Sequence, residues 1–502
     1  MEKIVLSGNL KIEDAVRFGI EPEIKVELPS TVREKIRKGR RLLETHLKER
    51  VYGVNTGFGA LAGEIIPADR IRLLQENLIK SHHAGLGNYV APEIARAAVL
   101  IRLNSLSLGY SGIRLELADF IVDYLNSGIV PCMKEYGSVG ASGDLAPLAS
   151  FALSLAFPEE VEVFLWEGEW KKMRGDEAFK RRNLSPITLE AKEALSLING
   201  TPFSAGITLF ALKEAEELLL LSDIAEALSM EALMSNPSFL FEGIHRVRNI
   251  PAQGERAVNI KKLTRGSELI GRTRDVQDAY SIRCYPQVSG SSAQGIKFSR
   301  EIIEGEINSA TDNPLVFEEG VFSGGNFHAQ PVAMAADLLS MSLTYLSSIS
   351  ERRLFRLLDP NLNRGLPAFL AREPGLNSGF MIVQYTAASL VSENKTLSHP
   401  AGVDTIPTSA NQEDHVSMAP VAARKALKIA SNTRYVLACE MLAAAQALDF
   451  RKGKPGKGTG VAYRLIREIA PFVSEDRPLS EYIEALASKL NNEFIERVFN
   501  EG

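Results

Sequence analysis

Over 502 residues the chain carries 57 lysines and arginines against 62 aspartates and glutamates, a net charge of −5 with 45% hydrophobic residues. This is the balance of an ordinary soluble globular protein, long enough for at least two structural regions, and it argues against nucleic acid as the main partner. Three widely separated cysteines, Cys132, Cys284 and Cys439, form no CxxC pair, which sets aside a disulfide framework and a thiolate metal site and fits a reducing cytoplasm.

The first residues, MEKIVLSGNL, lack the basic-then-apolar pattern of a secretory signal, and the longer apolar stretches carry charges at helical intervals. No membrane span is expected. Arg33 to Arg50 is locally basic but interleaved with Glu34, Glu44 and Glu49, which predicts a solvated helix face. Ile71, Leu74, Leu78 and His82 fall on one helical stripe, so His82 goes with the apolar face. At residues 137–149 stands GSVGASGDLAPLA, where Ser142 or Asp144 is placed to cap a helix that follows. Val161 to Met173 and Leu315 to Phe322 each set β-formers around a Glu-Gly turn and predict hairpins.

From Ala205 to Met234 there is no proline and one early glycine, so the segment predicts a rod of roughly 45 Å. Similar runs follow at Val332 to Leu358, Gly379 to Leu397 and Val421 to Leu448, and successive long helices suggest a bundle. Arg451 to Gly460 reads as a mobile loop before two last helices. The predicted fold is mainly α, with few short β-hairpins. Its expected domains are 1–204, carrying the 137–149 string, 205–450, a bundle of long antiparallel helices, and 451–502, packed on that bundle.

The string at 137–149 is not a phosphate-binding loop, because no Gly-Lys-Ser/Thr closes it, and it lacks the dinucleotide spacing after a clear strand. It is not a nucleophile elbow either, because Asp144 stands where the last glycine belongs. The seven histidines form no HExxH, and His82-His83 alone is weak evidence for a metal. A plain turn explains glycine and serine, but not three minimal residues directly before an acid. A covalent rearrangement of the backbone explains them. In a tight bend the unhindered amide nitrogen of Gly143 approaches the carbonyl carbon of Ala141. Ring closure, with loss of water from the adduct and from the Ser142 hydroxyl, then leaves an imidazolone bearing an exocyclic methylene, an electrophile made without an external cofactor.

Ala141-Ser142-Gly143-Asp144-Leu145-Ala146-Pro147-Leu148-Ala149 resembles the signature of the aromatic amino acid ammonia-lyases, whose prosthetic group is 4-methylidene-imidazol-5-one (MIO), formed from Ala-Ser-Gly. Other motifs of that family recur in order across nearly the whole chain: Tyr52 to Gly59 (YGVNTGFG), Asn199-Gly200-Thr201, Gln277 to Cys284 (QDAYSIRC), Gly325 to His328 (GNFH) and Asn411 to His415 (NQEDH). The resemblance implies a homotetramer with active sites shared between subunits, an amino acid as the small-molecule substrate, no metal, and ammonia lost after the substrate amine adds to the methylene derived from Ser142.

By the same resemblance Tyr52 is the catalytic base. A free phenol has a pKa near 10, so holding a phenolate at about pH 7 takes roughly 4 kcal/mol, which positive helix ends together with burial are expected to supply. Gln277, Tyr280 and Arg283 lie three apart, as on one side of a helical turn. Arg283 is the natural fork for a substrate carboxylate, although most arginines form surface ion pairs. The resemblance assigns Tyr280 and Gln277 to the amine and the MIO carbonyl, Asn199 to a hydrogen bond near the prosthetic group, and Phe327 to the pocket wall. Without it, Tyr52 and Asn199 read as turn residues and Phe327 as core.

Ser81-His82 and Glu413 look like the branch of the family that acts on histidine. There a carboxylate accepts the imidazole N–H, and the same group left unpaired against a benzene ring disfavours phenylalanine. Read alone, His82 is a core histidine and Glu413 an acid at a helix entry. His83, Ser150, Pro202 and Gln330 depart from that branch, which keeps open a lyase or 2,3-aminomutase for tyrosine, phenylalanine or another amino acid.

Overall fold

A computed structural model describes residues 2–47 and 49–502. Alanine- and leucine-rich runs free of internal proline fold as the sequence predicts. The four long runs are the helices Pro202–Ala232, Gln330–Leu358, Met381–Leu397 and Ala419–Asp449. Pro202 opens the first of them at the position where a missing N–H loses nothing. The fold is mainly α, and its strands are short, three to five residues each.

The chain forms two compact units. The first comprises Met1–Phe210, Ser299–Asp337 and Pro400–Arg424. Its centre is the helix Pro92–Ser107, buried from Ile94 onward. Even Arg96 is enclosed there, because its guanidinium donates to the carbonyls of Glu21 at 2.9 Å and Ile24 at 2.7 Å and lies 3.7 Å from the Phe18 ring centroid. The predicted hairpin is Glu162–Trp166 paired antiparallel with Trp170–Arg174, and Ile129–Pro131 adds a third strand. Leu315–Phe317 and Gly320–Phe322 form the second hairpin. Most of the basic segment is the helix Ser30–Thr45, with Val32, Ile36 and Leu43 facing inward and Arg37 and Arg41 outward beside Glu34, whereas Arg40 turns in to the carbonyls of Gly112 and Ala191.

The second unit comprises Ala211–Phe298, Leu338–His399 and Lys425–Gly502. Its helices enclose a charged layer. Arg353 reaches Glu440 at 2.7 Å and Glu226 at 3.1 Å, Ser229 and Ser350 each donate to Glu440 at 2.6 Å, and Arg256 meets Asp223 at 2.9 Å. Burial holds the Glu226 carboxyl well above the ordinary range. Breaking such a pair by removing one partner is strongly destabilising, since the other charge is left buried. Helix Gln330–Leu358 has the length and hydropathy to cross a membrane, but 67% of its apolar window is buried inside the protein. The thiols of Cys132 and Cys439 are buried and pushed up to about 12 by that burial.

The segment 451–460 departs from the expected loop. Helix Lys457–Ile469 already includes its last four residues, with Gly458, Thr459 and Gly460 buried, and three helices follow Asp449 rather than two. The preceding stretch is tied down, because Arg451 donates to the carbonyls of Ala232, Arg364 and Asn363, and Gly456 N–H donates to Glu231 at 2.7 Å. Polar composition suggested freedom, whereas carbonyl acceptors at neighbouring helix ends remove it.

Burial raises the Glu231 carboxyl to about 7. A folded-state value above the unfolded one means that the protonated acid stabilises the fold, in full below about pH 4.5, and that this is lost as pH rises through 7. Glu231→Gln keeps an acceptor for Gly456 and carries no charge. Thermal melts between about pH 5 and 8 should therefore show the variant gaining on the native protein by up to about 3 kcal/mol.

Candidate active site

The string at 137–149 follows the strand Lys134–Tyr136 and turns on three glycines with left-handed φ, Gly137 at 135°, Gly140 at 68° and Gly143 at 74°. Asp144 stands at the cap position of the helix Leu145–Ala156, yet its side chain does not cap it. The carboxylate instead accepts Ser204 N–H at 2.8 Å and Ser204 Oγ–H at 2.9 Å, at the start of Pro202–Ala232, with Ser138 Oγ at 3.2 Å. The expected local cap is thus a link between two helices. Burial raises the Asp144 carboxyl to about 6 against the pull of those donors.

Asp144 N–H also donates to the Gly200 carbonyl at 2.6 Å, and Asn199 Nδ2 donates to the Ser142 carbonyl at 2.8 Å. These bonds press Gly143 against Gly200 so closely that a Cβ on Gly143 would overlap the Gly200 backbone. The cradle accepts only glycine at 143, as the ring chemistry requires, so the residues present fit an MIO. Gly143→Ala adds that clash to a left-handed φ. We expect it to lower stability by at least about 2 kcal/mol and to leave the tripeptide unprocessed, read by thermal melting and peptide mass.

Ser142 faces a cavity of about 600 Å³ that also presents Tyr52, His82, Asn199 and Glu413. Its walls are largely apolar, including Phe58, Leu74, Leu78, Leu195 and Ile198. Helix Ile71–His82 delivers His82 at its last residue as the stripe predicts, and Ser81 Oγ lies 3.1 Å from His82 Nδ1. Burial lowers the His82 pKa, which favours the neutral ring. Glu413 precedes the helix Ala419–Asp449 in a strained turn where Ser409, Ala410 and Asn411 all have left-handed φ. One carboxylate oxygen accepts Ser142 Oγ–H at 2.6 Å and the other accepts Thr408 Oγ1–H at 2.6 Å. Asn199 Oδ1 is buried without a hydrogen-bond partner among the described residues.

Tyr52 Oη accepts the Gly59 N–H at 2.9 Å. Burial moves this phenol upward and the Glu413 charge adds to the rise, with only the Gly59 bond opposing. The expectation that burial helps the phenolate is corrected, because removing water disfavours the charged form.

The cavity is lined by residues of the first unit alone. Phe327 lies half-buried in a turn and is not among them. Gln277, Tyr280 and Arg283 belong to the second unit. The helical turn there covers only Tyr280–Arg283, so Gln277 precedes it in an exposed bend. Tyr280 is 70% exposed, and the Arg283 guanidinium lies 4.6 Å from its ring centroid while Nε donates to the Asp278 carbonyl at 3.0 Å. Cavities of about 480 and 770 Å³ in the second unit contain none of the expected residues. Among the described residues no group of three or more His, Cys, Asp or Glu is placed to hold a metal.

Of the positions that depart from the histidine branch, none lines the cavity. His83 Nδ1 lies 3.2 Å from Ser150 Oγ, so two of the departures partner each other, and Gln330 Nε2 donates to the Gly402 carbonyl at 3.0 Å. Sequence reasoning passed over Thr408 and Ser409. Both stand in the string before Glu413, but nothing in residue type marks a hydroxyl as the one that grips a particular carboxylate.

A helical protein with a serine-centred glycine loop, a tyrosine and a carboxylate around one cavity has the architecture of an enzyme. The chain belongs to the aromatic amino acid lyase family, whose sequence profile matches residues 10–468; that family is the MIO-dependent one. It is 46% identical to a histidine ammonia-lyase of Natranaerobius thermophilus over 96% of each chain. Among solved structures it resembles histidine ammonia-lyase from Trypanosoma cruzi, at 39% identity and a TM-score of 0.91 over 99% of this chain and 95% of that one. It also resembles tyrosine aminomutase from Streptomyces globisporus, at 34% identity and a TM-score of 0.93 over 99% of this chain and 98% of that one.

Proposed function

We propose that the protein eliminates ammonia from L-histidine to give trans-urocanate, using an MIO formed from Ala141, Ser142 and Gly143. Once formed, that group supplies the electrophile for the substrate amine. The observation that carries the histidine assignment is the placement of Glu413 and His82 on the cavity that Ser142 faces. Glu413 Oε1 is occupied by the Ser142 hydroxyl, the oxygen that leaves with the second water. Its loss frees the carboxylate oxygen to accept an imidazole N–H, while Thr408 keeps the other oxygen fixed. Asn199 Oδ1, buried and without a partner among the described residues, is left to accept a hydrogen bond beside the prosthetic group.

Tyr52 takes the β-proton of the substrate, and Arg283, with Tyr280 and Gln277, binds and orients it through the carboxylate and amine. We infer a cytoplasmic homotetramer in which several copies complete each site. Large exposed apolar residues of the second unit, Val276 at 90% and Leu376 at 80%, support such assembly. Positive helix ends brought by other copies would offset the upward pull of burial and Glu413 on the Tyr52 phenol.

Purified protein mixed with L-histidine should generate the ultraviolet absorption of urocanate. Consumption of L-tyrosine or L-phenylalanine in its place, with release of a β-amino acid or an arylacrylate, would establish the second reading, which the likeness to the tyrosine aminomutase favours.

A further inference from the structure

Both limbs of the loop are gripped and Ser142 is held by Asn199 and Glu413, while the two groups that must join stay free. On the entry side Gly140 N–H donates to Ser138 Oγ at 3.1 Å, and the Gly140 carbonyl accepts Ser417 Oγ–H at 3.0 Å. On the exit side the Ser142 carbonyl is held by Asn199, the Gly143 carbonyl lies 3.1 Å from Ser138 Oγ, and Asp144 N–H is held by Gly200. The Gly143 N–H and the Ala141 carbonyl, the two groups whose union closes the ring, have no hydrogen-bond partner among the described residues. Neither must break a hydrogen bond to this chain before reacting.

Among the described residues, Ser138 is the one side chain that hydrogen-bonds to both limbs. A hydroxyl offers one proton and two lone pairs. Ser138 Oγ receives the Gly140 N–H on a lone pair, and its proton points to the Gly143 carbonyl at 3.1 Å or to Asp144 Oδ1 at 3.2 Å, both on the far side of the bend. A single atom therefore spans residues 140 to 144.

We propose that Ser138 is the positioning residue for ring closure, its hydroxyl drawing the Gly143 peptide back toward Ala141. The inference rests on the maturation reading above. In the step it serves, Gly143 N bonds to the Ala141 carbonyl carbon. The first water carries away the Ala141 oxygen with the amide protons of Gly143 and Ser142, and the second carries away the Ser142 hydroxyl with its Cα proton. No oxidant or co-reactant enters. With Ser138 in place, less of the loop's conformational freedom has to be lost on the way to the bend, which is the gain expected of a preorganised reactant pair.

The test weighs the tryptic peptide spanning 138–143 at intervals after synthesis of the full chain, using only the folded pool from gel filtration. The native protein should show a deficit of two waters, and its absence there would remove the maturation reading itself. Folded Ser138→Ala should cyclise on the order of tenfold more slowly, as for loss of one bridging hydrogen bond in the transition state, with Ser138→Thr restoring most of the rate. A purely structural role would lower the melting temperature and leave the peptide mass unchanged. Cyclisation of Ser138→Ala at the native rate overturns the proposal. Should that variant leave no folded pool, Ser138→Cys, close in shape and weak in hydrogen bonding, takes its place under the same criterion: slower ring closure is expected and the native rate overturns the proposal.

Discussion

Ser142→Ala should lower kcat on L-histidine by at least about a thousandfold, roughly 4 kcal/mol of lost transition-state stabilisation, while the protein stays folded. The α-amine is a poor leaving group, and the route that divides its expulsion into two manageable steps needs the carbon that Ser142 contributes. The fold should tolerate the change, because the loop is held by backbone groups and by the side chains of Ser138, Asp144, Asn199 and Ser417, none of which uses Ser142 Oγ. Steady-state assay with circular dichroism and melting checks both halves. Native turnover in the variant would remove the serine-derived electrophile from the reaction.

Glu413→Gln is the second large effect, and it acts on selectivity. Glutamine keeps the shape and loses the charge, so a charge-assisted bond to imidazole becomes a neutral one. The expected fall in kcat/KM for histidine is about 10- to 100-fold. Activity on L-phenylalanine should rise relative to histidine, because the half-buried charge that opposes a benzene ring is gone. Paired assays of both substrates read the ratio, and unchanged histidine turnover would mean that the imidazole is recognised elsewhere. Thr408 matters to the interpretation, since its hydroxyl fixes the oxygen that faces away from Ser142.

Much of this architecture is legible in the amino acids because local periodicity and packing agree. The four long helices begin and end within three residues of the expected bounds; the first hairpin turns through its Glu-Gly pair, and the second turns one residue early, at Glu318-Glu319, with Gly320 opening the return strand. The gathering of Tyr52, His82, Ser142, Asn199 and Glu413 on one cavity follows from the motifs that the resemblance orders along the chain. What stayed hidden depends on long-range partners. The Asp144 side chain leaves its own helix for Ser204, Arg451 finds carbonyls more than 80 residues away, and the phenol of Tyr52 is dominated by burial that no short string encodes. Gln277 fell outside the predicted turn because the helix there is only four residues long.

The contrast among the three cysteines has a practical consequence. Thiols at positions 132 and 439 are sequestered and held in the protonated, unreactive form at neutral pH. Cys284, immediately after Arg283 and only partly covered, is left as the natural attachment point for a fluorophore or spin label. A probe there needs no engineered background and sits one residue from the arginine assigned to the substrate carboxylate.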